Sequence, residues 1–214
     1  MTYTLRKMHK EILSKEQLEI LPFLSGFNSK FYLVGGTAIA LQIGHRTSID
    51  FDLFSAKSFS TKFVYHKLNT QTKYNFSVIW SDKEQFHCNL NSVKVTFYPY
   101  PYVIPLDGKF EKYFKMPSLL TLAAMKALAL GGLAKWKDYV DLYYLLKSHF
   151  SLEEITLQAK SIFGDGAFNA KLLKEQLSYF KDIDYSEEVF YTKGFETSEE
   201  EIKSFLTDIS VKPF

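Results

Sequence analysis

Apolar and polar positions alternate along this chain with two different periods, and the change from one to the other divides it. In the first half the apolar runs are short. Phe31-Tyr32-Leu33-Val34 is a continuous run of the length of a buried strand, and Ser48-Ile49-Asp50-Phe51-Asp52-Leu53-Phe54 alternates as a half-buried strand does. Between them Gly35-Gly36-Thr37 turns the chain, and Ala38-Ile39-Ala40-Leu41 opens a helix. Asn75 to Trp80, Gln85 to Leu90 and Val93 to Tyr98 read as further strands, with Ser81-Asp82-Lys83 and Asn91-Ser92 as the turns between them. Ser60 to Gln71 reads as a helix. So do residues 1–30, where Ser14 is the N-cap for Lys15 to Phe23.

Pro99, Pro101 and Pro105 then break regular structure, and Asp107-Gly108 marks a turn. Beyond this point, near residues 100–116, the period becomes helical. Pro117-Ser118 starts a long apolar helix that fades at Gly131-Gly132. Lys135 to Phe150 is a second helix, with Tyr139, Leu142, Tyr143 and Leu146 on one face. Ser151-Leu152-Glu153-Glu154 is a capping box that opens a third. Residues 167–181 and Ser198 to Ile209 complete the helical half. The pattern predicts an α+β chain: a mixed sheet with flanking helices over residues 1–110, then a helical region over 111–214.

Composition narrows the class. Of the 214 residues 46% are hydrophobic, enough for a large core and against global disorder. The 20 Phe and 14 Tyr point to an aromatic core. A net charge of +2 lacks the basic footprint of a general nucleic-acid binder. Cys88 is the only cysteine, so no disulfide forms within the chain, as suits a reducing cytosol. The opening MTYTLRKMHKEIL carries charges throughout and lacks the apolar centre of a signal peptide. Leu119 to Ala134 is interrupted by Lys126 and is too short to span a bilayer. The expectation is a cytoplasmic protein with no membrane partner. His9, His66, His87 and Cys88 lack the paired spacing of a zinc site.

Candidate chemistry lies in residues 31–54. On a strand Asp50 and Asp52 point to the same face. Adjacent carboxylates repel unless a cation sits between them, and a hard ion such as Mg²⁺ (or Mn²⁺) suits oxygen donors. Gly35, Gly36 and Thr37 let backbone amides approach an anion at a helix start. Metal at one end and phosphate at the other is equipment for moving a phosphoryl or nucleotidyl group. The plainer alternative is a solvated pair of aspartates after a tight turn capped by Thr37. Arg46 either reaches a phosphate or pairs with an acid. Ser48 shares the Asp50 face and bonds either to the site or to the backbone. Lys137, Asp138 and Asp141 form a second cluster. The two aspartates share a helix face, and Lys137 and Asp141 are spaced to pair.

The order of these residues resembles the DNA polymerase β-like nucleotidyltransferases, and within them the AbiEii/AbiGii toxin family. Gly35-Gly36-Thr37 through Gly44-His45-Arg46, Ser48, Asp50 and Asp52 match one family block. Lys126, Ala129-Leu130, Lys137-Asp138, Asp141, Leu142 and Tyr143 match a second. The resemblance spans roughly residues 31–146. It implies transfer of a nucleotide from a nucleoside triphosphate to an acceptor hydroxyl with release of pyrophosphate. Asp50 and Asp52 would hold the metal and Gly36 and Thr37 the phosphates. Lys126 and Lys137 would neutralise charge, oriented by Asp138 or Asp141, so that the helical domain completes the cleft. It further implies a bacterial toxin with a cognate antitoxin and with RNA (such as tRNA) or protein as acceptor. Two positions depart from the pattern. Thr96 stands where a third acid is expected, and Leu133 where an arginine is common. Threonine is no base at neutral pH. The base is then Asp141, Asp138 or none, and the other readings are a non-catalytic nucleotide binder and a kinase-like phosphotransferase.

Overall fold

The computed structural model describes residues 8–130, 132 and 135–213. It divides into two compact units, Met1–Ser118 and Leu119–Phe214.

In the first unit a turn at Lys10–Ile12 precedes helix α1 (Lys15–Leu24). Ser14 caps α1 in a full capping box with Gln17, which satisfies two backbone donors at the helix start. Strand β1 (Tyr32–Val34) leads into α2 (Gly35–Ile43), and β2 (Asp50–Ser55) follows. Next come α3 (Thr61–Asn69) and strands β3 (Phe76–Ser81), β4 (Phe86–Leu90) and β5 (Val93–Pro99). The five strands form one sheet in the order β1-β2-β5-β4-β3. Only β2 and β5 pair in parallel. The alternation read in the sequence is realised on β2, where Phe51 and Leu53 are buried and Asp50 and Asp52 are half-buried. Phe51, Leu53, Phe86, Cys88, Val95 and Phe97 form the covered face of the sheet. Phe97 meets Phe27 and Phe31 with ring centroids 5.1 Å apart in each case. The opposite face carries Asp50, Asp52, Lys94, Thr96, His87 and Asn89 in register across three strands.

Several expectations shift. Residues 1–30 are not one helical region. Leu13 is extended and forms an isolated parallel bridge with Ser48, just ahead of β2, before α1 begins. The expectation for residues 1–7 lies outside the described residues. Helix α2 begins at Gly35, not Ala38. The stretch after the prolines is a hairpin of β6 (Gly108–Phe110) and β7 (Phe114–Met116), with Glu111 at φ 47° in its turn. Because β7 packs on β1, the first unit extends to Ser118 rather than to residue 110.

The second unit is helical: α4 (Leu119–Ala129), α5 (Trp136–Ser148), α6 (Leu152–Phe163), α7 (Ala170–Leu177) and α8 (Glu199–Val211). Helix α4 packs on α5 and α6, and α8 on α5 and α7. The Ser151–Glu154 capping box forms as expected: the Glu154 backbone donates to Ser151 Oγ at 3.1 Å and the Ser151 backbone to Glu154 Oε2 at 2.7 Å. Tyr139, Leu142, Tyr143 and Leu146 are all buried on α5. Gly131 and Leu133 lie outside the described residues. Among the described residues no helix is long and apolar enough to cross a membrane.

Candidate active site

Strand β2 presents Asp50 and Asp52 on the open face of the sheet, two residues apart. Across the strands Asp52 stands opposite Val34 on β1 and Thr96 on β5, and Asp50 opposite Lys94 on β5. Because Val34 is Asp52's partner, the turn that follows it falls beside the Asp52 side chain. Gly35 occupies that turn with φ +73°, in the left-handed region that glycine tolerates. A Cβ on Gly35 would overlap the Asp52 carboxylate and lie 3.0 Å from its Cγ. The start of α2 and the second aspartate are therefore in contact only because residue 35 has no side chain. The first backbone N–H groups of a helix have no partner inside it, so this end of α2 is suited to an anion.

Thr37 does something other than expected. It is the third residue of α2, not its N-cap, and it is fully buried. Its hydroxyl donates to the Asp50 carbonyl at 2.5 Å and lies 2.6 Å from Ser48 Oγ. Ser48 Oγ in turn donates to Asp50 Oδ1 at 3.3 Å. Gln17, already part of the α1 capping box, donates from Nε2 to the same Asp50 carbonyl at 3.3 Å. The Thr37 hydroxyl thus holds the strand in place and does not reach outward for a phosphate. Arg46 is also buried, and Nη1 donates to the Thr47 carbonyl at 3.0 Å. Gly44, in the same sequence block, ends α2 at φ +80°, where a Cβ would strike the His9 ring. Gly44 and Arg46 therefore sit in the scaffold of the first unit.

In the second unit Lys126 of α4 lies 2.6 Å from Asp138 Oδ1 and 3.2 Å from Asp141 Oδ2, both on α5. Asp141 is fully buried and Lys126 is 10% exposed, so the ammonium is held at one place. Asp138 also accepts from the Lys135 backbone at 3.0 Å, which fixes its rotamer at the start of α5. Lys137 finds a partner from outside the motif. Its ammonium meets Glu187 at 2.5 Å, and Lys135 binds the same carboxylate. Burial raises the Glu187 pKa, but the two lysines outweigh it and hold the group below the usual carboxylate range. Sequence reading missed Glu187, which lies in a motif-free stretch between α7 and α8, about fifty residues from its partners.

The two carboxylates fit a divalent ion. Among the described residues no cluster of three or more Asp, Glu, His or Cys forms a closed cage. Two aspartate carboxylates with the remaining positions left to water and phosphate oxygens is the donor set Mg²⁺ favours.

A mixed sheet that sets paired strand acids against a glycine-opened helix has the arrangement expected of a nucleotidyltransferase. The fold agrees with solved structures, one of them a nucleotidyltransferase. MenT4, a nucleotidyltransferase toxin from Mycobacterium tuberculosis, superposes with a TM-score of 0.60 at 12% identity, over 92% of this chain and 82% of that one. JHP933 from Helicobacter pylori does so with a TM-score of 0.54 at 14% identity, over 92% and 91%. An uncharacterised protein of Aquifex aeolicus is 30% identical over 209 residues, covering 94% of this chain and 95% of its own. The profile of the AbiEii nucleotidyl transferase toxins of type IV toxin–antitoxin systems matches residues 22–98, which include Gly35, Asp50 and Asp52. The chain belongs to this AbiEii family and is a nucleotidyltransferase.

Proposed function

We propose that this enzyme transfers a nucleotide from a Mg²⁺-bound nucleoside triphosphate (Mn²⁺ serving equally) to a hydroxyl of an RNA, such as tRNA, or of a protein. The observation that carries this reading is the seating of Asp52 against Gly35, which brings acids and helix start together. The metal, when bound, would neutralise charge on the phosphates and polarise the α-phosphorus. Asp50 and Asp52 would hold it. Thr37, Ser48 and Gln17 keep the Asp50 backbone and carboxylate in place. The backbone N–H groups of Gly36 and Thr37 would take phosphate oxygens, a role the helix start performs without side chains. In the second unit, Lys126 is a fixed ammonium of the kind that offsets charge on departing pyrophosphate, oriented by Asp138 and Asp141. Lys137 would serve in the same way once released from Glu187.

Membership of a toxin family suggests that the reaction arrests growth in the cytoplasm and that a cognate antitoxin restrains it. The experiment mixes the protein, Mg²⁺ and each labelled triphosphate with total cellular RNA or with cell protein. Label on a macromolecule with release of pyrophosphate, both lost in Asp50→Ala, is the expected result. Release of nucleoside diphosphate instead would identify a phosphotransferase. No transfer to either acceptor, together with unchanged growth on expression, would overturn the proposal.

A further inference from the structure

The row of side chains that contains Asp52 does not end at Thr96. It continues to His87 on β4 and Trp80 on β3, each in register with the one before. Strands lie about 4.8 Å apart, so His87 stands two strands from Asp52 with only Thr96 between. Thr96 Oγ1 is 3.3 Å from His87 Nδ1, and His87 Nε2 is 3.4 Å from Gln85 Oε1. An amide oxygen only accepts, so the Gln85 contact places the imidazole proton on Nε2. That leaves Nδ1 to accept from the Thr96 hydroxyl. The Trp80 indole packs on the imidazole with centroids 5.3 Å apart and holds its plane.

Nucleotidyl transfer must remove a proton from the acceptor hydroxyl, and Asp52's register neighbours on both sides, Val34 and Thr96, carry no carboxylate. We propose that Thr96 and His87 together perform this step. The acceptor hydroxyl gives its proton to Thr96 Oγ1 as the Thr96 proton passes to His87 Nδ1. In the same step the acceptor oxygen bonds to the α-phosphorus, and the bond from that phosphorus to the pyrophosphate oxygen breaks. His87 finishes as imidazolium and releases its proton to water. Thr96 touches the substrate, and His87 acts through it.

The surroundings suit a proton acceptor. Burial and the Lys94 ammonium on β5 hold His87 below the ordinary imidazole value, with Asp82 in the β3–β4 turn opposing them. Gln85, Thr96 and Trp80 also meet the ring. His87 is therefore neutral near pH 7 and able to accept.

This inference rests on the nucleotidyl-transfer reading, and the test separates the two. Pyrophosphate release is followed with the full chain, Mg²⁺, triphosphate and total cellular RNA, from about pH 5 to about pH 8. The unaltered protein should gain rate with rising pH through a titration below the ordinary imidazole value. His87→Gln should keep its triphosphate affinity, lose that rise and fall about 10²–10⁴-fold in rate. Thr96→Val, which removes only the hydroxyl, should lose as much. Thr96→Asp should restore a base in the row, so that Thr96→Asp combined with His87→Gln recovers what His87→Gln lost. An unchanged rate and pH profile in His87→Gln, while Asp52→Asn is inactive, would overturn this inference and leave the transfer reading standing. No transfer by the unaltered protein would overturn both.

Discussion

A methyl group at residue 35 would meet the Asp52 carboxylate, on a backbone already at φ +73°. Gly35→Ala is therefore expected to cost about 1–2 kcal/mol from the left-handed backbone alone, read as a lower denaturant midpoint. Metal-dependent triphosphate binding should fall further than stability does, because the displaced group is the proposed ligand. The shared face of Asp50 and Asp52 was legible in the sequence, since a two-residue spacing on a strand sets it. The direction of the Thr37 hydroxyl was not legible, because it depends on β2 running beside α2. Cys88 offers a pH test. Burial pushes its thiol from near 9.0 to about 12. The unfolded chain loses this proton at lower pH than the folded one, so folding stability falls as pH rises from about 9 to about 12. In Cys88→Ala the slope in that window should flatten by about 1.4 kcal/mol per pH unit, measured by chemical denaturation.

Among the elements, β3 is the exposed edge of the sheet, with Val78, Ile79 and Trp80 at 43%, 50% and 49% exposure. An apolar edge is a template for pairing with another chain. Ile79→Lys should reduce light scattering on heating without lowering the midpoint of unfolding. Capped helices and alternating strands were readable because their signals are local: Ser14, Ser151 and Ser198 each mark a helix start. The β6–β7 hairpin was not, because two strands of three residues are too short to show a period. The first compact unit includes this hairpin and runs to Ser118.

At the scale of the whole molecule, the acids of the sheet belong to one compact unit and the Lys126 cluster to the other. Asp141 is fully buried, and removing it takes one of two carboxylates from a buried ammonium that Asp138 still meets. Asp141→Ala should therefore cost about 1–3 kcal/mol, seen as early loss of helical signal on heating, whereas exposed pairs such as Lys171–Glu175 should contribute little. The profile match covers residues 22–98 and the full-length relative covers both units. The two units therefore occur together in that relative.

Local order in the chain determined the elements, the paired acids of β2 and the glycine beside them, because periodicity and spacing act over a few residues. Tertiary structure alone decided which distant groups meet. Lys137 finds Glu187, Thr37 turns to Asp50, and the threonine at the expected acid position finds a histidine on the next strand. Strand register and helix packing bring together residues that no sequence period relates.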